Sequence, residues 1–228
     1  MASVQQITIT LPSATLVALK DMGYALYAMR AFDTTNAAGQ PLVWVATTQY
    51  LEMTTLAFQA QYQAYVSTSQ LVADGVVTMS ATAAVDLGQT ATVDANGMIT
   101  VTQGGRPNAV TLVNSSSNPF TTGLAAGADG GSAAIFAEPL YGLAEDIVAP
   151  LDQVLLTFST AGVQVGTLVR HAMSQSFLVD LTGGEQRTVA FDINQGWSAG
   201  GAVWGQNVPA GTDLIPILVH ETPMTVPA

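Results

Sequence analysis

The chain contains no cysteine, so disulfides, thiolate metal sites and a cysteine nucleophile are all excluded. Basic residues are almost as scarce. Lys20, Arg30, Arg106, Arg170 and Arg187 are set against 16 acidic residues, for a net charge of −11 and a pI near 4.1. Phosphate backbones are held by clusters of Lys and Arg, so nucleic acid is not an expected partner, and neither is anionic lipid. Charged residues make up only 9% of the chain, where ordinary soluble domains carry roughly 25%. His171 and His220 are the only 2 histidines, which rules out a multi-histidine metal centre. No apolar run approaches the ~18 residues of a membrane-spanning helix. The opening MASVQQITITLP lacks the basic-then-apolar signature of a secretory leader. The expectation is a soluble protein, cytoplasmic or released by a non-classical route.

What remains is hydrophobic at 49%, yet Gly, Ala, Thr and Ser rather than Leu dominate the text. A disordered chain would be charged and poor in apolar residues, so this one folds. Its surface polarity has to come from hydroxyls and amides. With 228 residues it is long enough for one large all-β domain with a sizeable core.

Period-2 alternation is clearest over residues 75–105. Val77, Met79, Ala81, Ala83, Val85 and Leu87 alternate with Thr78, Ser80, Thr82, Ala84 and Asp86, and the phase resumes at Ala91, Val93, Ile99 and Val101. Such alternation gives extended chain one apolar face and one hydroxyl-rich face. Asn96-Gly97 signals a hairpin, but a two-residue turn would set Val93 against Thr100, apolar against polar. A three-residue loop, Ala95-Asn96-Gly97, instead pairs Val93 with Ile99, Thr92 with Thr100 and Ala91 with Val101. It also places Gly97 where that loop needs a left-handed residue. The expectation is a three-stranded meander. Arms of about six residues are short of the ~9–11 that a strand needs to cross a bilayer, so a pore-forming hairpin is the minor reading.

Elsewhere, residues 14–22 read as a single short helix with Ser13 as N-cap and Gly23 as its stop. Strands are expected at residues 4–11, 24–32, 42–49, 109–114, 152–160, 163–171, 175–181, 188–193 and 214–219. Residues 51–69 read as one long, bent strand, with a helix over residues 53–65 as the alternative on propensity. Residues 115–145 read as loop, so any subdomain boundary falls within 115–150. The fold class is all-β: an antiparallel sandwich, with a pair of related sheet units as the alternative, and one short N-terminal helix, taken as a single domain over 1–228. An echo of Val85-Asp86-Leu87 and Asp94-Ala95-Asn96-Gly97 in Val179-Asp180-Leu181 and Asp192-Ile193-Asn194-Gln195-Gly196 is read mainly as convergent hairpin composition.

The chemical motifs are weak. Gly196-Trp197-Ser198-Ala199-Gly200 matches the nucleophile elbow G-x-S-x-G, with Asp213 and His220 following in hydrolase order. The required helix after the serine is precluded by Gly200-Gly201, so serine hydrolysis is a distant third reading. Asp129 within a glycine-rich loop is a minor calcium candidate. No cofactor is expected. Trp197 and Trp204 flank the Gly-Gly turn and, with the hairpin polars Asp192 and Asn194, form the expected ligand-binding set. Aromatic rings on such loops suit stacking on sugars or burial at an interface. Trp44, in an early strand, reads as core, plugging an end of the sandwich. The functional expectation is a non-enzymatic recognition protein binding glycans or a cell or membrane surface, lectin-like or toxin-like. The alternative is a self-assembling structural subunit, and a homo-oligomer is expected in either case.

Overall fold

Small and β-branched residues at period 2 drive the chain into strands, and the strands sort into three sheets. A computed structural model describes residues 4–59, 61–128 and 131–222. The first third holds β1 (Val4–Thr10), α1 (Ser13–Asp21), β2 (Ala25–Thr34), β3 (Gln40–Pro41), β4 (Val43–Thr47), β5 (Met53–Gln59) and β6 (Tyr62–Ser67). Then come β7 (Ala81–Val85), β8 (Gln89–Val93), β9 (Ile99–Gln103), β10 (Val110–Asn114), β11 (Phe120–Ala128) and β12 (Gly131–Leu140). The last part is β13 (Glu145–Ser159), β14 (Ser176–Asp180), β15 (Gln186–Asp192), β16 (Gly196–Ser198), β17 (Gly205–Val208), α2 (Ile215–Leu218) and β18 (Val219–Glu221).

The result is an all-β sandwich in which antiparallel pairs predominate. One layer is a nine-stranded sheet running β17-β14-β13-β10-β8-β9, onto which β2, β4 and β18 pair through β13. The other layer is split between a four-stranded sheet, β16-β15-β1-β5, and a five-stranded sheet, β3-β12-β11-β6-β7. Parallel pairing occurs between β1 and β15, β8 and β10, and β2 and β18. β2 explains how the layers stack. Its Leu26, Ala28 and Phe32 face the main core, and Tyr27, Met29 and Ala31 face a second apolar cluster on the other side. A strand buried on both faces reads as a continuous apolar run, as here.

Several elements follow the sequence reading closely. The β8–β9 hairpin pairs Val93 with Ile99, Thr92 with Thr100 and Ala91 with Val101. Gly97 sits at φ +75° and donates to the Asp94 carbonyl at 3.0 Å, closing a three-residue loop. α1 stops at Gly23, whose N–H reaches the Lys20 carbonyl while the Tyr24 N–H reaches Leu19, a Schellman closure. Its start differs: Pro12 is the N-cap with no side-chain capping bond, and Ser13 Oγ instead donates to Glu52 at 2.5 Å.

Other expectations are corrected. The meander is broken: β7 pairs with β6 in the five-stranded sheet, while β8 and β9 belong to the nine-stranded one. Gly88, at φ +94°, turns the chain between layers. Residues 51–69 form two strands in different sheets rather than one bent strand. Residues 115–145 are not mainly loop, because β11 and β12 form a long hairpin there. Both its faces are buried, Leu124, Ala126, Ala133 and Ile135 on one side and Ala125, Ala134 and Ala137 on the other. Tight packing on two sides selects small residues, and small residues mimic a loop composition. Residues 163–171 make only isolated bridges, Leu42 to Leu168 and Val76 to Thr167 among them. Residues 214–219 begin as α2, with Pro216 in its first turn. Asp129 lies outside the described residues.

Candidate ligand-binding site

The layer split between β5 and β6 has a consequence for the surface. Among the described residues, β5 pairs with β1 alone and β4 with β2 alone, so each leaves one edge without a strand. Between them opens a cavity of about 340 Å³, within the range of small-ligand sites. Trp44 and Phe58 line it, with Thr55, Gln59, Gln61 and Gly127 among the polar groups around them. The two rings meet edge to face, with centroids 5.1 Å apart and planes at 89°. The Trp44 indole N–H is fixed by donation to the Gly127 carbonyl at 3.0 Å. Thr55, Gln59 and Gln61 are exposed, so their hydroxyl and amide groups are available to a ligand. Trp44 is core, as expected from its strand, and its residual surface also lines the cavity.

Behind these rings lies Arg30, 2% exposed and among the largest fully buried side chains. Its guanidinium carbon stands 5.1 Å from the Phe58 centroid, 5.6 Å from Tyr62 and 5.9 Å from Trp44. Among the described residues its one acceptor is the Leu151 carbonyl, at a long 3.5 Å from Nη2, and its Nε and Nη1 have no hydrogen-bond partner. An arginine stays charged, and removing such an ion from water costs several kcal/mol. Ring contacts return roughly 0.5–2 kcal/mol each, and unpaired donors on a buried charged group subtract from that. The arrangement is unfavourable for a folded chain alone. In the sequence Arg30 keeps the phase of Leu26, Ala28 and Phe32, the β2 residues that face the main core.

The residues expected to bind ligand are distributed differently. Trp197 is 3% exposed, stacked on Phe158 at 5.5 Å and 13° and against Phe191 at 4.8 Å. Its indole N–H donates to the Gln175 carbonyl at 3.1 Å, so it sits in the aromatic core rather than on a loop surface. Trp204 is half-buried, with the Arg187 guanidinium 5.2 Å from its ring centroid. Asp192 is occupied by its turn: Oδ1 accepts from the Asn194 and Gln195 N–H groups and Oδ2 from the Thr15 hydroxyl. These bonds, the Asn194 N–H first, hold its carboxyl below the usual range. Asn194 is exposed. Asp94 makes the same turn in the β8–β9 loop, accepting from Asn96 and Met98. The two loops therefore share turn chemistry, but their hairpins lie in different sheets.

The residues of the hydrolase pattern each have another partner. Ser198 Oγ accepts from the Gly200 N–H, Asp213 accepts from the Ile215 N–H, and His220 Nδ1 lies 3.4 Å from the Asp33 carboxylate. One titratable group went unnoticed in the sequence. Glu138, on β12, is fully buried, and desolvation pushes its carboxyl well above the usual range, against the Thr34 hydrogen bond and with help from Asp146. Thr34 donates to Oε2 at 2.7 Å. Among the described residues, Oε1 and the hydroxyl of the cross-strand Thr122 both lack partners. Among the described residues no group of three or more potential ligands could hold a metal ion. Compared with protein-family models, curated proteins and solved structures, the chain matches none.

Proposed function

We propose that the protein is a non-enzymatic recognition protein that binds a saccharide in the cavity over Trp44 and Phe58. The observation that carries the reading is the composition of that cavity: exposed amides and a hydroxyl set around the residual surface of two largely buried rings, Trp44 and Phe58, 2% and 6% exposed. Sugar rings present a fringe of hydroxyls, which amide and hydroxyl side chains satisfy, and apolar C–H faces that rest on an apolar floor. No helix among the described residues is long and apolar enough to cross a membrane, and the β8 and β9 arms are 5 residues each. Contact with a cell surface thus runs through a bound glycan in this reading.

A glycan array followed by calorimetry on the hits tests it. Replacing both exposed rim amides, Gln59→Ala with Gln61→Ala, is expected to weaken binding about tenfold or more while leaving thermal stability unchanged. An array with no retained glycan sinks the reading.

A second reading, self-assembly, has one specific observation in its favour. Leu51 and Met53, at and beside the start of the edge strand β5, are 62% and 66% exposed. Val17, one helical turn beyond the Glu52-bonded Ser13, is 58% exposed. An unpaired edge beside an apolar patch is a template for pairing with a second copy. Sedimentation showing only monomer at high concentration removes this alternative.

A further inference from the structure

We infer that the saccharide carries a carboxylate, as uronic and sialic acids do, and that Arg30 is the group that recognises it. The inference rests on the glycan reading above and specifies its ligand class. Three observations converge. Arg30 is a fixed cation buried in a chain with only 5 basic residues. Two of its donors, Nε and Nη1, have no partner among the described residues. Two of the three rings that surround it, Trp44 and Phe58, are the same rings that line the cavity. A guanidinium with unpartnered N–H groups holds a carboxylate through charge-assisted hydrogen bonds. Burial strengthens that pairing, because little water competes for either partner.

Among the described residues no acid group serves this role, the one ion pair being His220 with Asp33. Glu138 is engaged by Thr34, and Asp146 by Thr35 and Asn36. The aromatic box therefore holds the cation without neutralising it. Because Phe58 and Trp44 stand between guanidinium and cavity, a ring must turn aside when the acid enters, a side-chain change common at binding sites. Tyr62 closes the far side and also lines the adjoining cavity with Gln61 and Gly127. The anion is thus approached from the β4–β5 side.

The test compares an acidic saccharide from the array with its methyl ester, on wild type, Arg30→Met and Arg30→Lys, by calorimetry and thermal shift. Wild type is expected to bind the free acid about tenfold or more tightly than the ester. Arg30→Met should lose that preference, and Arg30→Lys should keep only part of it. A buried cation exchanged for an apolar side chain of similar length is commonly tolerated or stabilising, so Arg30→Met is expected to fold, and Arg30→Lys supplies the reading if it does not. Equal binding of acid and ester by wild type overturns this inference and leaves the glycan reading standing. A preference that survives in Arg30→Met also overturns it. Failure of both sugars to bind overturns the glycan reading itself.

Discussion

Trp197 and Trp204 lie in one short stretch of sequence and occupy different environments. Removing the Trp197 ring empties a site walled by Phe158, Phe177 and Phe191 and strips the Gln175 carbonyl of its donor. Large-to-small changes at such positions cost about 3–5 kcal/mol. Trp204 is only half-buried and its ring contact with Arg187 is worth about 0.5–1 kcal/mol when solvated. Urea denaturation of Trp197→Ala and Trp204→Ala should therefore separate the two clearly. Equal costs would mean that the aromatic cluster around Trp197 is not holding the sandwich together. The difference is hard to read from sequence. Gly196, Ser198, Ala199 and Gly200 surround Trp197 with turn-forming text, while β16 spans only Gly196–Ser198 and gives the tryptophan a single inward position. Trp44 was legible because it sits within the apolar, β-branched run Leu42-Val43-Trp44-Val45-Ala46 of a strand. Arg30 was not legible as a buried cation: β2 is buried on both faces, so phase does not single it out, and nothing in the sequence reveals that its partners are rings from β4, β5 and β6.

Between the residue and the fold, glycine decides more than propensity does. A Cβ at Gly123 would run into the Phe136 carbonyl oxygen, a backbone atom that cannot turn aside. Gly123 and Ala137 are paired across β11 and β12, beside the register shift at Leu124 and Ala125. Gly123→Ala is expected to cost more than about 4 kcal/mol, the range reserved for steric failure in a core. Gly127, on the same strand, has open space where its Cβ would go, so Gly127→Ala should be neutral or slightly stabilising. A thermal melt of both variants checks the pair, and similar melting temperatures would contradict the close approach. The contrast also explains which elements could be read. The β8–β9 register followed from matching apolar faces across Gly97, information held within about a dozen residues. β11 and β12 hid because their composition is set by two distant surfaces, one on each side of the hairpin. The exchange of sheets at residues 59–62 and at Gly88 is likewise a decision of packing between layers, to which local alternation is blind.

For the molecule as a whole, the titrating groups predict an unusual dependence on pH. Glu138 is folded away in a form that favours its proton, with desolvation as the leading cause, and Asp146 is raised for the same leading reason. An acid whose folded pKa lies above its unfolded value binds more protons in the native state across the interval between the two. Stability is then complete below the unfolded value, near 4.3 for a glutamate, and declines as pH rises towards the folded one, by at most about 1.4 kcal/mol per pH unit for one proton. Asp94, Asp180 and Asp192 act oppositely. Hydrogen bonds to Asp94 from Met98 and Asn96, to Asp180 from Thr182 in spite of its desolvation, and to Asp192 from Asn194 hold these carboxyls low. Their contribution is present above the unfolded aspartate value, near 3.9, and is lost as pH falls through the lowered folded values. A net charge of −11 with a pI near 4.1 adds self-repulsion as pH moves up from the isoelectric point. All three effects place the stability maximum in mild acid, at about pH 4–5, below the usual window of about pH 5–8. Melting temperature should fall steadily from pH 5 to pH 8. Glu138→Gln keeps an acceptor for the Thr34 hydroxyl and supplies an amide N–H towards Thr122, with no proton to lose. It should flatten that decline and be more stable than wild type at pH 8. A wild-type melting temperature that rises over the same interval, or a Glu138→Gln profile parallel to wild type, would show that Glu138 does not govern the slope.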